Sequence, residues 1–261
     1  MIHAGQLVAA AACLLALAGQ GRAADENQAR WHDVAAAVFN NRPVQDGSAI
    51  LRLDAPDRAL DAALVPIGIT VAPSATPKAL YLIIDGNPAP VAGVMHFGPL
   101  GDPHLLKLRV RIDQYSLVHA VAEMPDGRLL GVAKYVKAAG GCSAPGTTNQ
   151  QEAMARIGRM KLRPAAAPRT AELLISHPNY NGMQMNPVTR FYTPARYVQT
   201  VTVTEGGQRV FSLDGDIALS QDPAVTFALL PGAGGAALDV EVRDSSKAVF
   251  KQSFPLPAGR S

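Results

Sequence analysis

Cys142 lies in Ala138-Ala-Gly-Gly-Cys-Ser-Ala-Pro-Gly146, a run of small residues without an apolar face. The other cysteine, Cys13, falls in an N-terminal apolar segment that reads as a removable leader. An unpaired thiol is either a small buried hydrophobe or a nucleophile that takes a covalent group, because only the thiolate attacks. The neighbours favour the second reading. Gly140 and Gly141 make the backbone pliable and Pro145 lacks a backbone donor, so the thiol is expected to be exposed and mobile. Cys142 is therefore the candidate covalent attachment point, with Gly140 and Gly141 as the source of loop flexibility. Lys134 and Lys137 lie close in sequence, where they either favour ionisation or form a solvated strand end.

Other chemistry is poorly supported. His32, His96, His104, His119 and His177 are scattered without an HxxxH pair, and no CxxC occurs, so metal spacing is absent and no metal or cofactor is expected. His177, in Ser176-His-Pro-Asn179, is the best candidate for a base near the thiol and reads more simply as a turn or interface histidine. Gly232-Ala-Gly-Gly235 falls between two β-patterned runs rather than opening a helix, which suits a hairpin turn better than a phosphate loop.

The elements that must position Cys142 follow from composition and periodicity. Leu7 to Ala18 is an apolar run of about a dozen residues, too short to span a bilayer and suited to a secretory signal, with cleavage expected after Ala23. Removing residues 1–23 takes away Cys13 and Arg22 and leaves a net charge of about +2, which points to no particular partner. No basic run interleaved with aromatics appears, so nucleic acid is not an expected partner. No later segment reaches membrane-spanning length, so no membrane association is expected once the leader is removed. Export to an oxidising compartment makes a single thiol notable, since cysteines there are usually paired.

Residues 28–138 read as a helix, Gln28 to Asn40, followed by short β-runs. These are Ala49 to Leu53, Ala62 to Val71, Ala79 to Ile84, Leu105 to Ile112, Ser116 to Glu123 and Leu129 to Val136. Strict alternation in Leu106-Lys-Leu-Arg-Val-Arg-Ile112 predicts one buried and one wet face. Residues 139–168 read as the cysteine loop, a helix over Asn149 to Lys161 with Met154, Ile157 and Met160 inward, and a semi-rigid linker from Arg163 to Arg169. Residues 169–258 return to β-runs at Glu172 to Ser176, Tyr197 to Thr204, Gln208 to Leu213, Val225 to Leu229, Ala237 to Arg243 and Ala248 to Phe254. Glu205-Gly-Gly207 reads as a hairpin turn. The expected fold is all-β: two immunoglobulin-like β-sandwich domains joined by a cysteine-bearing loop and a short helix.

Leu174-Ile-Ser-His-Pro178, Tyr192-Thr-Pro-Ala-Arg-Tyr-Val198, Val201-Thr-Val203 and Asp222-Pro-Ala-Val-Thr-Phe227 together resemble SoxZ, one subunit of the thiosulfate-oxidising carrier complex. Ala63-Leu-Val-Pro-Ile67 and Gly140-Gly-Cys142 resemble SoxY, the other subunit. The chain as a whole resembles quinoprotein dehydrogenase-associated SoxYZ-like carriers. That resemblance implies a periplasmic carrier rather than an enzyme, with Cys142 holding a sulfur intermediate for sulfur-oxidising enzymes, or a role beside a quinoprotein dehydrogenase and its cytochrome c. It departs from the family in one respect: the SoxY arm is a free C-terminal tail, whereas here a second domain follows Cys142. Four extended residues from Ala138 reach about 14 Å. Fusion makes association of the halves intramolecular, at effective concentrations of the order of millimolar, and a monomeric pseudo-heterodimer is expected. Two other readings stay open: a non-covalent accessory of the dehydrogenase, and a thiol-dependent transferase or redox enzyme.

Overall fold

The structure, a computed structural model, describes residues 26–146, 149–167, 169–186, 189–230 and 237–255. The leader and the Gly232-Ala-Gly-Gly235 turn lie outside the described residues. Residues 26–39 form the first helix, α1, which is a unit by itself. None of the described helices is long and apolar enough to cross a membrane.

From Pro43 onward the chain is a two-layer all-β body, as the alternating runs predict. The first half carries β1 (Val44–Asp46), β2 (Leu51–Asp54), β3 (Val65–Val71), β4 (Ala79–Ile84), β5 (Val91–Phe97), β6 (Gly101–Val110), β7 (Ser116–Glu123) and β8 (Leu129–Val136). After α2 (Gln150–Ala155) come β9 (Met160–Pro164), β10 (Thr170–Ile175), β11 (Val198–Glu205), β12 (Gln208–Gly215), β13 (Ala224–Leu229), β14 (Leu238–Asp244) and β15 (Val249–Phe254). One layer runs β1-β8-β7-β4-β5-β12-β11-β14-β15 and the other β2-β3-β6-β13-β10-β9.

Both layers cross from one half to the other. β5 pairs antiparallel with β12, Met95 opposite Leu213 and Phe97 opposite Phe211. β6 pairs with β13, Leu106 opposite Phe227, with a bulge before Ala228. The two sandwiches thus share their sheets. β3 shows why the layers hold: Val65, Ile67, Ile69 and Val71 are buried in alternation while the intervening residues face outward. Phe211 and Phe227 meet between the layers edge to face, with ring centroids 4.8 Å apart.

The segment after the cysteine loop differs from expectation. Asn149 does cap a helix, its Oδ1 accepting from the Gln151 amide at 2.8 Å, but that helix spans Gln150–Ala155 alone. Gly158 then takes φ +80°, and a Cβ there would fall 2.0 Å from the Phe250 ring. The chain reverses and enters β9, so Met160 is buried as a strand residue rather than a helical one. Arg163 and Pro164 belong to that strand, and Ala165 donates to the Thr170 carbonyl at 2.9 Å. The expected linker is therefore largely an edge strand and a tight turn, and an edge tolerates proline because no neighbour needs its missing N–H.

Continuous sheets predict cooperative unfolding of both halves. Phe211→Ala should cost about 3–5 kcal/mol, as for other buried aromatics, and should shift one urea transition without splitting it. Two separate transitions in the parent protein would show that the halves unfold independently.

Candidate functional site

The cysteine loop leaves β8 at Val136 and is fastened at once. The Lys137 amide donates to the Asp57 carbonyl at 2.9 Å, and Lys137 accepts from the Ala59 amide at 3.1 Å. The Gly140 amide donates to the Asp113 carbonyl at 2.7 Å and the Gly141 amide to that of Ile112 at 3.0 Å. A single turn closes from the Ala144 amide to the Gly140 carbonyl at 3.0 Å. Gly140 adopts φ +77°, a left-handed conformation that costs glycine little. A Cβ at Gly141 would lie 2.0 Å from the Ala62 carbonyl oxygen and 2.6 Å from that of Ile112. The two glycines thus let the loop fold tightly against the chain ends of β3 and β6.

Cys142 is consequently not exposed. Its relative accessibility is 1%, which corrects the expectation of an exposed thiol. Small residues supply no apolar face of their own, but they also offer no bulk to keep the loop off the body. The amides of Gly140, Gly141 and Ala144 are satisfied internally, so their burial costs no hydrogen bonds.

Each half contributes one clamp on the thiol's flanking carbonyls. Arg111, immediately after β6, donates from Nη1 to the Gly141 carbonyl at 3.2 Å. Asn181, in the loop between β10 and β11, donates from Nδ2 to the Cys142 carbonyl at 2.6 Å. Asn181 is itself held: its amide donates to Gln184 Oε1 at 3.1 Å, and its Oδ1 accepts from the Met183 amide at 3.0 Å. The Arg111 backbone is fixed from both halves, its amide donating to the Ala218 carbonyl at 2.7 Å and its carbonyl accepting from Asn87 Nδ2 at 2.8 Å.

Burial pushes the Cys142 thiol up to about 12; the Asp113 carboxylate adds to the rise and the Arg111 guanidinium opposes it. The same burial lowers Arg111, against the support of charge on Cys142 and Asp61. Closed, the loop holds a protonated and unreactive thiol.

Neither Arg111 nor Asn181 is a candidate on sequence grounds. The alternation of Leu106 to Ile112 places Arg111 on the wet face with Lys107, yet Arg111 is 1% exposed, because the second half covers the end of that strand. Lys134 pairs with Asp57 at 3.0 Å and Lys137 is exposed. His177 is buried, accepting from the Asn179 amide at Nδ1, with Nε2 3.4 Å from Asp244. Burial lowers its pKa against that carboxylate. Burial would raise Asp244, but hydrogen bonds from Ser246, Arg196 and the Ala248 amide bring it to about 2. His96 lies 3.3 Å from Asp214 across the junction, His119 meets buried Asp85 at 3.0 Å, and His104 pairs with Asp102.

Two outcomes follow for the thiol. Asn181→Ala removes one buried hydrogen bond of about 1 kcal/mol and should speed Cys142 alkylation by iodoacetamide about 5- to 10-fold, followed by intact mass. An unfolded thiol loses its proton near the ordinary value of about 8.5, whereas the folded one keeps it to about 12. The unfolded state thus binds fewer protons in that window, and stability falls as pH rises through it. Cys142→Ser should remove this component from urea midpoints measured across the same window.

Comparison with known proteins matches each half separately. Residues 35–142 match the family model of the sulfur oxidation protein SoxY, whose match ends on Cys142 itself. Residues 160–255 match that of the sulphur oxidation protein SoxZ. No curated protein matches the chain. Among solved structures, the sulfur carrier protein SoxY from Chlorobium limicola f thiosulfatophilum is 22% identical, covering 42% of this chain and 93% of its own, with a TM-score of 0.37. A beta-glycosidase from Bacteroides vulgatus is 10% identical over 79% of this chain and 24% of its own, with a TM-score of 0.25. SoxY thus covers the half that ends at the thiol and SoxZ the half that supplies Asn181, and the chain is a SoxY domain followed by a SoxZ domain.

Proposed function

We propose that this protein is an exported, periplasmic carrier that holds a sulfur-containing intermediate covalently on Cys142 and presents it to partner enzymes, without catalysing a reaction alone. The observation that supports this most directly is the place of the thiol. Cys142 is the last residue of the SoxY match, and its carbonyl is held by a side chain of the SoxZ half. A thiol of pKa about 12 does not load while closed, so loading requires the loop to leave the body. Once open, a thiol near its usual pKa of about 8.5 is a few per cent ionised at neutral pH. The loop is anchored at both ends, and its reach from Ala138 to Cys142 is about 14 Å, which suits a shallow active site. The segment that carries Asn181 also exposes Met185, Phe191 and Tyr192, side-chain types enriched at protein interfaces. A partner docking there would touch the element that releases the thiol.

Burial of Cys142 favours one further reading, a non-covalent accessory of a periplasmic quinoprotein dehydrogenase or its cytochrome partner, in which the thiol is only a packing residue. The two readings separate on Cys142→Ser. Intact-mass spectrometry of protein taken from its native periplasm should show an adduct on the parent chain and none on the variant. Free thiol throughout, resistant to alkylation until denaturation, would overturn the carrier reading. Dehydrogenase activity that survives Cys142→Ser but falls on deletion of the whole protein would establish the accessory role.

A further inference from the structure

Arg111 is a buried cation without a counter-ion. It is 1% exposed, and among the described residues no carboxylate lies within ion-pair distance of its guanidinium. Among the described residues its side chain makes one hydrogen bond, from Nη1 to the neutral Gly141 carbonyl, and its buried Nε has no acceptor. Arginine stays charged in proteins and its fork of donors is costly to bury unpaired. A second orphaned donor belongs to the same clamp: Gln184 spends Oε1 on the Asn181 amide, and among the described residues its buried Nε2 has no partner. The carboxylates that act here do so at longer range, Asp61 on Arg111 and Asp113 on Cys142. The residues that clamp the thiol's loop therefore hold unused N–H groups, and Arg111 brings unpaired positive charge that acts on Cys142, the complement of an anion.

We propose that Arg111 recognises the anionic end of the group carried on Cys142, a sulfonate-type oxyanion, and so draws the loaded loop back against the body between partner enzymes. This rests on the carrier reading and adds its specificity: a loaded group ending in negative charge is retained and shielded, and a neutral one is not.

The test uses the whole mature protein with two chemically installed groups. Tetrathionate reacts with the Cys142 thiolate to give Cys142–S–S–SO₃⁻ and release thiosulfate, one S–S bond forming as one breaks, with no outside oxidant. Methyl methanethiosulfonate gives the neutral Cys142–S–S–CH₃ and releases methanesulfinate. Release of each group by dithiothreitol is followed by intact mass, and the neutral-to-anionic rate ratio is divided by the same ratio for N-acetylcysteinamide adducts. That double ratio cancels any general change in loop opening. It should be about tenfold or more in the parent protein, the scale of one charge-assisted hydrogen bond. It should fall close to unity in Arg111→Gln and lie between in Arg111→Lys. A parent double ratio near unity overturns the proposal even if no variant folds, and so does an unchanged double ratio in Arg111→Gln. Failure of the carrier reading is distinct, because it appears as an unmodified Cys142 in native material whatever these rates show.

Discussion

The antiparallel pairing of β5 with β12 is the constraint on which the rest of this molecule depends. Backbone hydrogen bonds between those strands, with those of β6 and β13 in the other layer, turn two sandwiches into one two-layer body. The junction is therefore not a hinge. It fixes the loop between β10 and β11 beside the end of β6, and so fixes Asn181 and Arg111 on the two carbonyls that flank the thiol.

That geometry trades reactivity for protection. A closed Cys142 is protonated and screened, whereas an open thiolate is vulnerable to the oxidation ladder that ends in irreversible acids. The cost is that any chemistry at Cys142 must first break the clamp. Because one clamp residue comes from each half, an event on either half bears on the same equilibrium. The glycines serve the closed state as much as any open one: Gly140 supplies a left-handed turn and Gly141 the close approach to Ala62 and Ile112.

Much of the strand framework is legible in the residues alone. Ala79 to Ile84, Ser116 to Glu123 and Leu129 to Val136 are strands at their expected limits, since β-branched runs bounded by turn signals leave little choice. Val91-Ala-Gly-Val-Met-His-Phe97 gives no such signal. It becomes β5 because strands on both sides, β4 and β12, complete its hydrogen bonding. The three-residue spacing of Met154, Ile157 and Met160 imitates a helix that Gly158 and Phe250 interrupt, a contact between residues far apart in the chain.

The sequence by itself determined the all-β class, the order of the two halves and the thiol between them, because alternation, turn residues and the position of a cysteine are local properties. Tertiary structure alone decided that the thiol is buried, that Arg111 leaves the wet face of its strand, and that Asn181 reaches it from the other half. Burial and charge are set by what packs against a residue, and here the packing partner of each comes from elsewhere in the chain.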